Sequence, residues 1–127
     1  MSKQIFNKTH RIRHQADFDR VYRSGCYAAD QVLVVYADRN DQDYCRLGLS
    51  VSRKVGGAIV RNRWKRLIRE AFRGSRAALP AGLDLVVRPR RGAEADFQAI
   101  LEALPRLAKQ LDKKLLRLSD NRSVRPS

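Results

Sequence analysis

No run of apolar residues in this sequence is long enough to cross a membrane, and its start, MSKQIFNKTH, has no apolar segment of the kind that a signal peptide needs. Cysteine is scarce, and Cys26 and Cys45 lie far apart and are not spaced as metal ligands. Two free thiols are typical of a reducing compartment. We therefore predict a cytoplasmic protein without a membrane partner.

Acidic residues are also few. The 127-residue chain has 13 Asp and Glu against 27 Lys and Arg, which gives a formal net charge of +14. A small domain with this imbalance repels itself unless it binds a polyanion. The charge therefore disfavours a stand-alone metabolic enzyme and favours a phosphate-rich partner, above all nucleic acid.

Signs of catalysis are missing as well. No Ser, His and Asp arrangement suggests an activated nucleophile, and no spacing of His, Cys, Asp or Glu is typical of a metal site. His10 and His14 lie in a basic N-terminal segment, where isolated histidines are more often incidental than catalytic. We predict that no residue of this chain is catalytic or binds a metal.

The hydrophobic pattern predicts one α+β domain, an α/β sandwich with helices packed on a mixed central sheet. Residues 1–15 are expected to form a flexible basic arm, 16–118 the domain and 119–127 a disordered tail. The predicted elements follow the order α-β-β-α-β-α, over residues 16–24, 32–38, 45–52, 58–73, 83–88 and 93–118.

Turn and breaker residues predict how these elements end and join. Gly25 is expected to stop the first helix. The polar segment RNDQDY (39–44) predicts a hairpin between the first two strands. Pro105 is expected to kink or split the last helix.

The first helix and the first strand each carry aromatic residues on one face. Phe18 and Tyr22 are four positions apart and share a helical face, while Val34 and Tyr36 alternate onto one face of the strand. A groove of this kind, rimmed by arginines, can hold a single nucleic-acid strand by stacking its bases. The other interpretation, that Phe18 and Tyr22 belong to the ordinary core, fits the pattern equally well.

The most informative segment is RNRWKRLIREAFRGSR (61–76), which has seven basic residues and a single acid, Glu70. At about 100° per residue it forms an amphipathic helix. The apolar face comprises Val60, Trp64, Leu67, Ile68 and Ala71. Like charges recur at i and i+4 on the opposite face and destabilise the isolated helix, so a counter-charge from a partner is expected. The predominance of arginine favours RNA.

A short basic loop precedes this helix. Arg53, Lys54, Gly56 and Gly57 place cations and flexible backbone just before its N-terminus, where phosphate can bind. A plain turn explains the two glycines equally well, because the segment lacks the glycine spacing of a nucleotide-binding loop.

Two motifs resemble one family, the protein subunit of bacterial ribonuclease P. They are GLSVSRKVGGAIVRNRWKRLIREAFR (48–73) and DFDRVYRSG (17–25), within a resemblance that extends from about residue 9 to 117. The resemblance implies a ribonucleoprotein endoribonuclease that removes the 5′ leader of precursor tRNA. It implies that the catalytic RNA performs the hydrolysis with Mg²⁺ bound by the RNA. It also implies a left-handed βαβ crossover, whereas connection rules alone predict a right-handed one.

The resemblance assigns two sets of residues. A basic ridge would bind the catalytic RNA and comprises Arg53, Lys54, Arg61, Asn62, Arg63, Lys65, Arg66, Arg69 and Arg73. An aromatic cleft would hold the single-stranded leader and comprises Arg11, Arg13, Phe18, Tyr22, Val34 and Tyr36. Trp64 replaces an aliphatic residue inside the motif, and we expect it to pack in the core.

Three other functions remain open. A ribosomal-type protein would bind rRNA through the same helix but needs no aromatic groove. A DNA-binding module would read base edges in duplex DNA. A nuclease made of protein alone would cut precursor tRNA without any RNA subunit.

Overall fold

The computed structural model describes residues 10–124, the last five of them as helical backbone alone. Residues 1–9 of the predicted arm and 125–127 of the predicted tail lie outside this range. The helices are α1 (Gln15–Arg23), α2 (Ala58–Gly74) and α3 (Phe97–Val124), and the strands are β1 (Tyr27–Ala29), β2 (Leu33–Arg39), β3 (Arg46–Leu49) and β4 (Leu83–Pro89). The α+β class is therefore confirmed, with one short strand more than predicted.

The four strands form one mixed sheet in the order β1-β2-β4-β3. β4 is antiparallel to β2 and parallel to β3, and α2 connects β3 to β4 as a βαβ unit. The first two predicted strands are β2 and β3 of the structure, and the hairpin predicted between them is wrong because β4 lies between them. A polar turn reverses the chain but does not decide which strands become neighbours. The handedness of the crossover stays a prediction.

The additional strand, β1, pairs with β2 in a hairpin that the sequence pattern did not reveal. Three residues are too few to show an alternation of apolar and polar side chains. The turn that follows depends on Asp30, whose carboxylate accepts hydrogen bonds from the backbone N–H groups of Val32 and Leu33 at 2.8 and 2.9 Å.

The sheet separates two layers. Its inner face packs against α2 and α3, and the predicted alternation of β2 is confirmed because Leu33, Val35 and Ala37 are fully buried there. The outer face carries α1 over a smaller apolar cluster. That cluster comprises Ile12, Val21 and Val86, with Phe18, Tyr22 and Tyr36 partly buried against it.

Local signals explain the end of α1 and the start of α3, but not the course of α3 past Pro105. Gly25 ends α1 in the left-handed conformation (φ 69°), as predicted. α3 begins at Phe97, where the carboxylate of Asp96 accepts a hydrogen bond from the N–H of Ala99. Pro105 does not split α3, because the apolar residues around it are buried against the sheet and α2.

The regions beside the domain contain more regular structure than the sequence suggested. α3 continues to Val124, so residues 119–124 of the predicted tail are helical. In the predicted arm, Arg11 forms a parallel bridge to Leu47, and the N–H of Ile12 donates to the Leu47 carbonyl at 2.9 Å. No described helix is long and apolar enough to cross a membrane.

A buried carboxylate fastens α1 to the sheet. Asp84 on β4 is fully buried on the α1 side and accepts hydrogen bonds from Arg20 of α1, Arg46 of β3 and Asn40. The Arg46 contacts, at 2.6 and 2.7 Å, form a two-point fork. Because Arg20 lies between Phe18 and Tyr22 in sequence, this network also fixes the position of the aromatic face of α1.

Candidate nucleic-acid interface

Helix α2 buries its apolar face largely as predicted. Trp64, Leu67, Ile68 and Ala71 are buried in the core, and Trp64 packs there as expected. Val60 was predicted on this face but is 43% exposed, and its side chain lies beside Gly56 in the turn that precedes α2.

The basic ridge faces outward. Arg53, Lys54 and the α2 residues Asn62, Arg63 and Arg66 are exposed, while the remaining members are partly buried. The partly buried members are Arg61, Lys65, Arg69 and Arg73. Within the described part of the chain, no ion pair involves α2 or the turn that precedes it. Among residues 10–119, whose side chains the structure describes, no carboxylate therefore neutralises the positive charge of the ridge.

Two ridge arginines also contact backbone. The Nε of Arg61 donates to the Gly56 carbonyl at 3.2 Å, which ties the start of α2 to the basic loop before it. Arg63 makes a long contact of 3.5 Å to the Ala95 carbonyl. These bonds orient the two side chains and leave other guanidinium N–H groups for a ligand.

The predicted residues of the aromatic cleft lie together between α1 and the outer face of the sheet. The rings of Tyr22 and Tyr36 meet edge to face with centroids 4.8 Å apart. Phe18, Tyr22, Val34 and Tyr36 are each partly buried, and the three aromatic rings pack against the small apolar cluster while still exposing surface. These side chains are therefore neither fully buried core residues nor fully exposed surface residues.

Two residues of this region were missed by sequence reasoning. Tyr27, 53% exposed on β1, lies with its ring centroid 5.4 Å from that of Tyr36. Arg88 on β4 lies over the Tyr36 ring at 5.3 Å and donates to its hydroxyl at 3.3 Å. The alternation of β4 already placed Arg88 on the face opposite Leu85 and Val87, but only the pairing of β4 with β2 brings it beside Tyr36.

Gly48 allows Phe18 to lie close to the sheet. A Cβ at this position would be 2.9 Å from two atoms of the Phe18 ring and 3.2 Å from the Cβ of Ile12. A side chain at position 48 would push the Phe18 ring away from the sheet, so the depth of the cleft depends on Gly48.

The ridge and the cleft meet in one cavity of about 210 Å³. It is lined by Arg11, Ile12, Arg13, Phe18, Leu47, Leu49, Lys65 and Arg69. Burial, together with the positive charges of Arg11 and Arg73, lowers the pKa of Arg69 from its ordinary value. The cavity therefore concentrates positive charge beside an aromatic ring, an arrangement that favours a phosphate and its neighbouring base.

His10 has a structural role in the described part of the arm. It is buried, stacks edge to face on Tyr44, and receives a hydrogen bond from Arg76 at Nε2 (2.8 Å). Because arginine can only donate, this ring nitrogen is unprotonated. Burial and the charge of Arg76 lower the pKa of His10 accordingly.

The remaining candidate groups are inert or dispersed. Cys26 and Cys45 are free and buried, and burial raises the pKa of Cys45 to about 12. Within residues 10–124, no cluster of three or more His, Cys, Asp or Glu side chains is placed to hold a metal ion.

Comparison with known proteins identifies the family. A family model described as Ribonuclease P matches residues 6–112. The "Ribonuclease P protein component" of Clostridioides difficile is 40% identical over 109 residues (84% of this chain, 96% of the relative), and that of Thermotoga petrophila is 38% identical over 114 residues (86% and 97%).

Solved structures agree with these sequence matches. The Staphylococcus aureus RNase P protein superposes with a TM-score of 0.71 at 37% identity, covering 81% of this chain and 95% of its own. The RNase P protein from Thermotoga maritima superposes with a TM-score of 0.72 at 37% identity, covering 79% of this chain and 96% of its own. The chain belongs to the family of ribonuclease P protein components.

Proposed function

We propose that this chain binds the catalytic RNA of ribonuclease P through the basic ridge and the 5′ leader of precursor tRNA in the aromatic cleft. In this role it assists the Mg²⁺-dependent removal of the leader, with the catalytic centre and the Mg²⁺ held by the RNA. The residues that we expect to act are those already assigned to the two surfaces, together with Tyr27 and Arg88.

The observation that carries this proposal is the cavity shared by the two surfaces. Lys65 and Arg69 of the ridge line the same cavity as Phe18 of the cleft, with Arg11 and Arg13 beside them. A strand that leaves the cleft therefore meets cations that continue onto the ridge. This continuity supports one protein surface that holds substrate and catalytic RNA next to each other.

Each surface contributes a different kind of energy. Phosphate neutralisation along the ridge releases counterions, so assembly with the RNA becomes strongly dependent on salt. Stacking in the cleft contributes about 1–3 kcal/mol per base and depends little on sequence. Because mature tRNA has no leader, the cleft adds affinity for precursor alone and fixes the scissile phosphate beside the RNA-bound metal.

The test uses the chain reconstituted with catalytic RNA. Replacing Phe18 and Tyr22 by Ala should weaken precursor binding roughly tenfold or more and leave mature-tRNA binding within twofold. Phe97→Ala is the matched control, because this partly buried ring lies on α3 in the other layer. Affinity should also rise with leader length for the wild type and not for the double variant.

Three results would contradict the proposal. If the Phe18 and Tyr22 double variant bound precursor and mature tRNA with equally reduced affinity, the assignment of the cleft to the leader would be wrong. Affinity that is independent of leader length would favour a structural rRNA-binding protein. Cleavage of precursor by the pure chain with Mg²⁺ and no RNA would place the catalytic centre in the protein.

A further inference from the structure

The first turn of α2 exposes two consecutive apolar residues. Ile59 is 87% exposed, the highest value among the large apolar residues that the structure describes as exposed, and Val60 is 43% exposed. Single apolar residues are common on protein surfaces and need no explanation. Here, however, the pair lies at the start of the most basic segment of the chain.

Ile59 forms part of the wall of a shallow, open hollow of about 400 Å³, which is lined by Ile59, Asn62, Arg63 and Arg66. These positions are i, i+3, i+4 and i+7, so they form one stripe along the helix. The stripe combines an apolar side chain, an amide with both donor and acceptor groups, and two exposed guanidinium groups.

We propose that this hollow receives an unpaired nucleobase of the catalytic RNA, with Ile59 against the base face. The inference rests on the function proposed above and adds a contact to it that is not electrostatic. Asn62 is placed to hydrogen-bond the base edge, and Arg63 and Arg66 to contact the phosphates on either side.

The chemistry of the stripe favours a nucleotide over a protein. A protein side chain that covered Ile59 would also cover Arg63 and Arg66. Neither guanidinium group has a carboxylate partner among the described residues, so desolvating the two charges would be costly. A nucleotide instead brings a flat apolar face and a negative charge within one residue's length. One nucleotide can therefore contact the apolar side chain of Ile59 and the guanidinium groups of Arg63 and Arg66 at the same time.

Salt separates the apolar contact from the ionic ones. Counterion release makes the logarithm of the binding constant fall linearly with the logarithm of salt concentration, with a slope set by the number of neutralised phosphates. An apolar contact releases no counterions. Loss of Ile59 should therefore lower affinity equally at every salt concentration, whereas loss of Arg66 should also make the slope shallower.

The experiment measures binding of the full chain to catalytic RNA at four or more KCl concentrations. We expect Ile59→Ala to weaken binding about fivefold to tenfold with the wild-type slope, and Arg66→Ala to lower the slope by about one. Leu116→Ala is the control, because Leu116 is also exposed (51%) but lies on α3. Ile59→Phe should bind at least as tightly as the wild type, since a ring offers more area for stacking.

The outcomes are distinct. Binding by Ile59→Ala within twofold of wild type at all salt concentrations, or an equal loss for Leu116→Ala, overturns the inference and leaves the proposed function intact. Failure of the wild type to prefer catalytic RNA over an unrelated RNA of equal length overturns the proposed function itself. As a second measurement, a base-modifying reagent should find an RNA base that is protected by the wild type and reactive with Ile59→Ala.

Discussion

Arginines serve opposite purposes in two regions of this protein. On the outer face of the sheet, Arg20 and Arg46 converge on the fully buried carboxylate of Asp84 and on Asp17 beside it. On α2, five arginines recur within 17 residues, yet no ion pair there neutralises them within the described residues. A basic residue thus indicates a polyanion partner only where no carboxylate lies near it in space.

The two arrangements also differ in cost. A buried carboxylate with several charge-assisted hydrogen bonds is rigid, and the loss of one partner leaves an uncompensated charge. The ridge is exposed or only partly buried, and like charges in contact with water repel weakly at physiological salt. The Asp84 network therefore stabilises the fold, whereas the cations of the basic ridge remain available to bind a ligand.

The largest expected effect comes from reversing charge on the ridge. Changing Arg61, Lys65 and Arg69 together to Glu should lower affinity for the catalytic RNA by at least about 100-fold at moderate salt, because phosphates would then face carboxylates. The far-ultraviolet circular dichroism spectrum should be unchanged, since Trp64 and Ile68 still anchor the helix.

Its matched control applies the same charge change to α3. The triple variant of Lys109, Lys113 and Arg117 to Glu alters three exposed residues on α3 and should retain most of the affinity. A similar loss for both variants would mean that net charge, and not the ridge, drives binding.

The opposite region can be tested with Asp84→Asn. This near-isosteric change leaves Arg20 and Arg46 without their buried counter-charge and should lower the free energy of unfolding by roughly 3 kcal/mol in urea titrations. Asp112→Asn removes the charge of the partly exposed partner of Arg39 and should cost less than about 1 kcal/mol. Equal costs would show that the network does not hold α1 in place.

The stabilisation from Asp84 has a defined pH dependence. Burial alone raises the pKa of Asp84, but hydrogen bonds from Arg46, Asn40 and Arg20 more than offset burial, so the pKa lies below its ordinary value. Such a group stabilises the fold above the unfolded-state pKa of about 3.9 and loses this contribution as pH falls through the lower folded-state pKa. The gap between wild type and Asp84→Asn should therefore narrow below about pH 4.

The smallest effect concerns His10, a potential cation that already faces Arg76. Since the pKa of His10 is lowered, the folded protein binds fewer protons than the unfolded chain as pH falls through about 6.5. Stability should decrease there by no more than about 1.4 kcal/mol per pH unit, the limit for one proton. Urea unfolding between pH 7.5 and 5.5 measures this loss.

Two substitutions isolate the His10 contribution. His10→Gln should flatten the pH dependence, whereas the exposed His14→Gln should leave it unchanged. If both behave like the wild type, the docking of the arm does not depend on the protonation of His10.

Sequence reasoning succeeded where a pattern is local. The period of α2 predicted that Trp64 and Ile68 are buried and that Arg66 faces outward, because a helix places each side chain at a fixed angle from the next. The alternation of β2 likewise predicted the face that carries Tyr36. Val60 shows the limit of this reasoning, since the helical period places it on the apolar face but the tertiary structure leaves it 43% exposed.

The part of the basic ridge on α2 was thus determined by the sequence itself, because the spacing of its cations and the scarcity of acids among them are properties of one helix. Only the tertiary structure decided that β4 separates β2 from β3, that Arg20 and Arg46 are held by Asp84, and that Phe18 shares a cavity with Arg69. Each of these depends on which distant segments become neighbours. That choice is made by the packing of the whole core, and no short stretch of sequence records it.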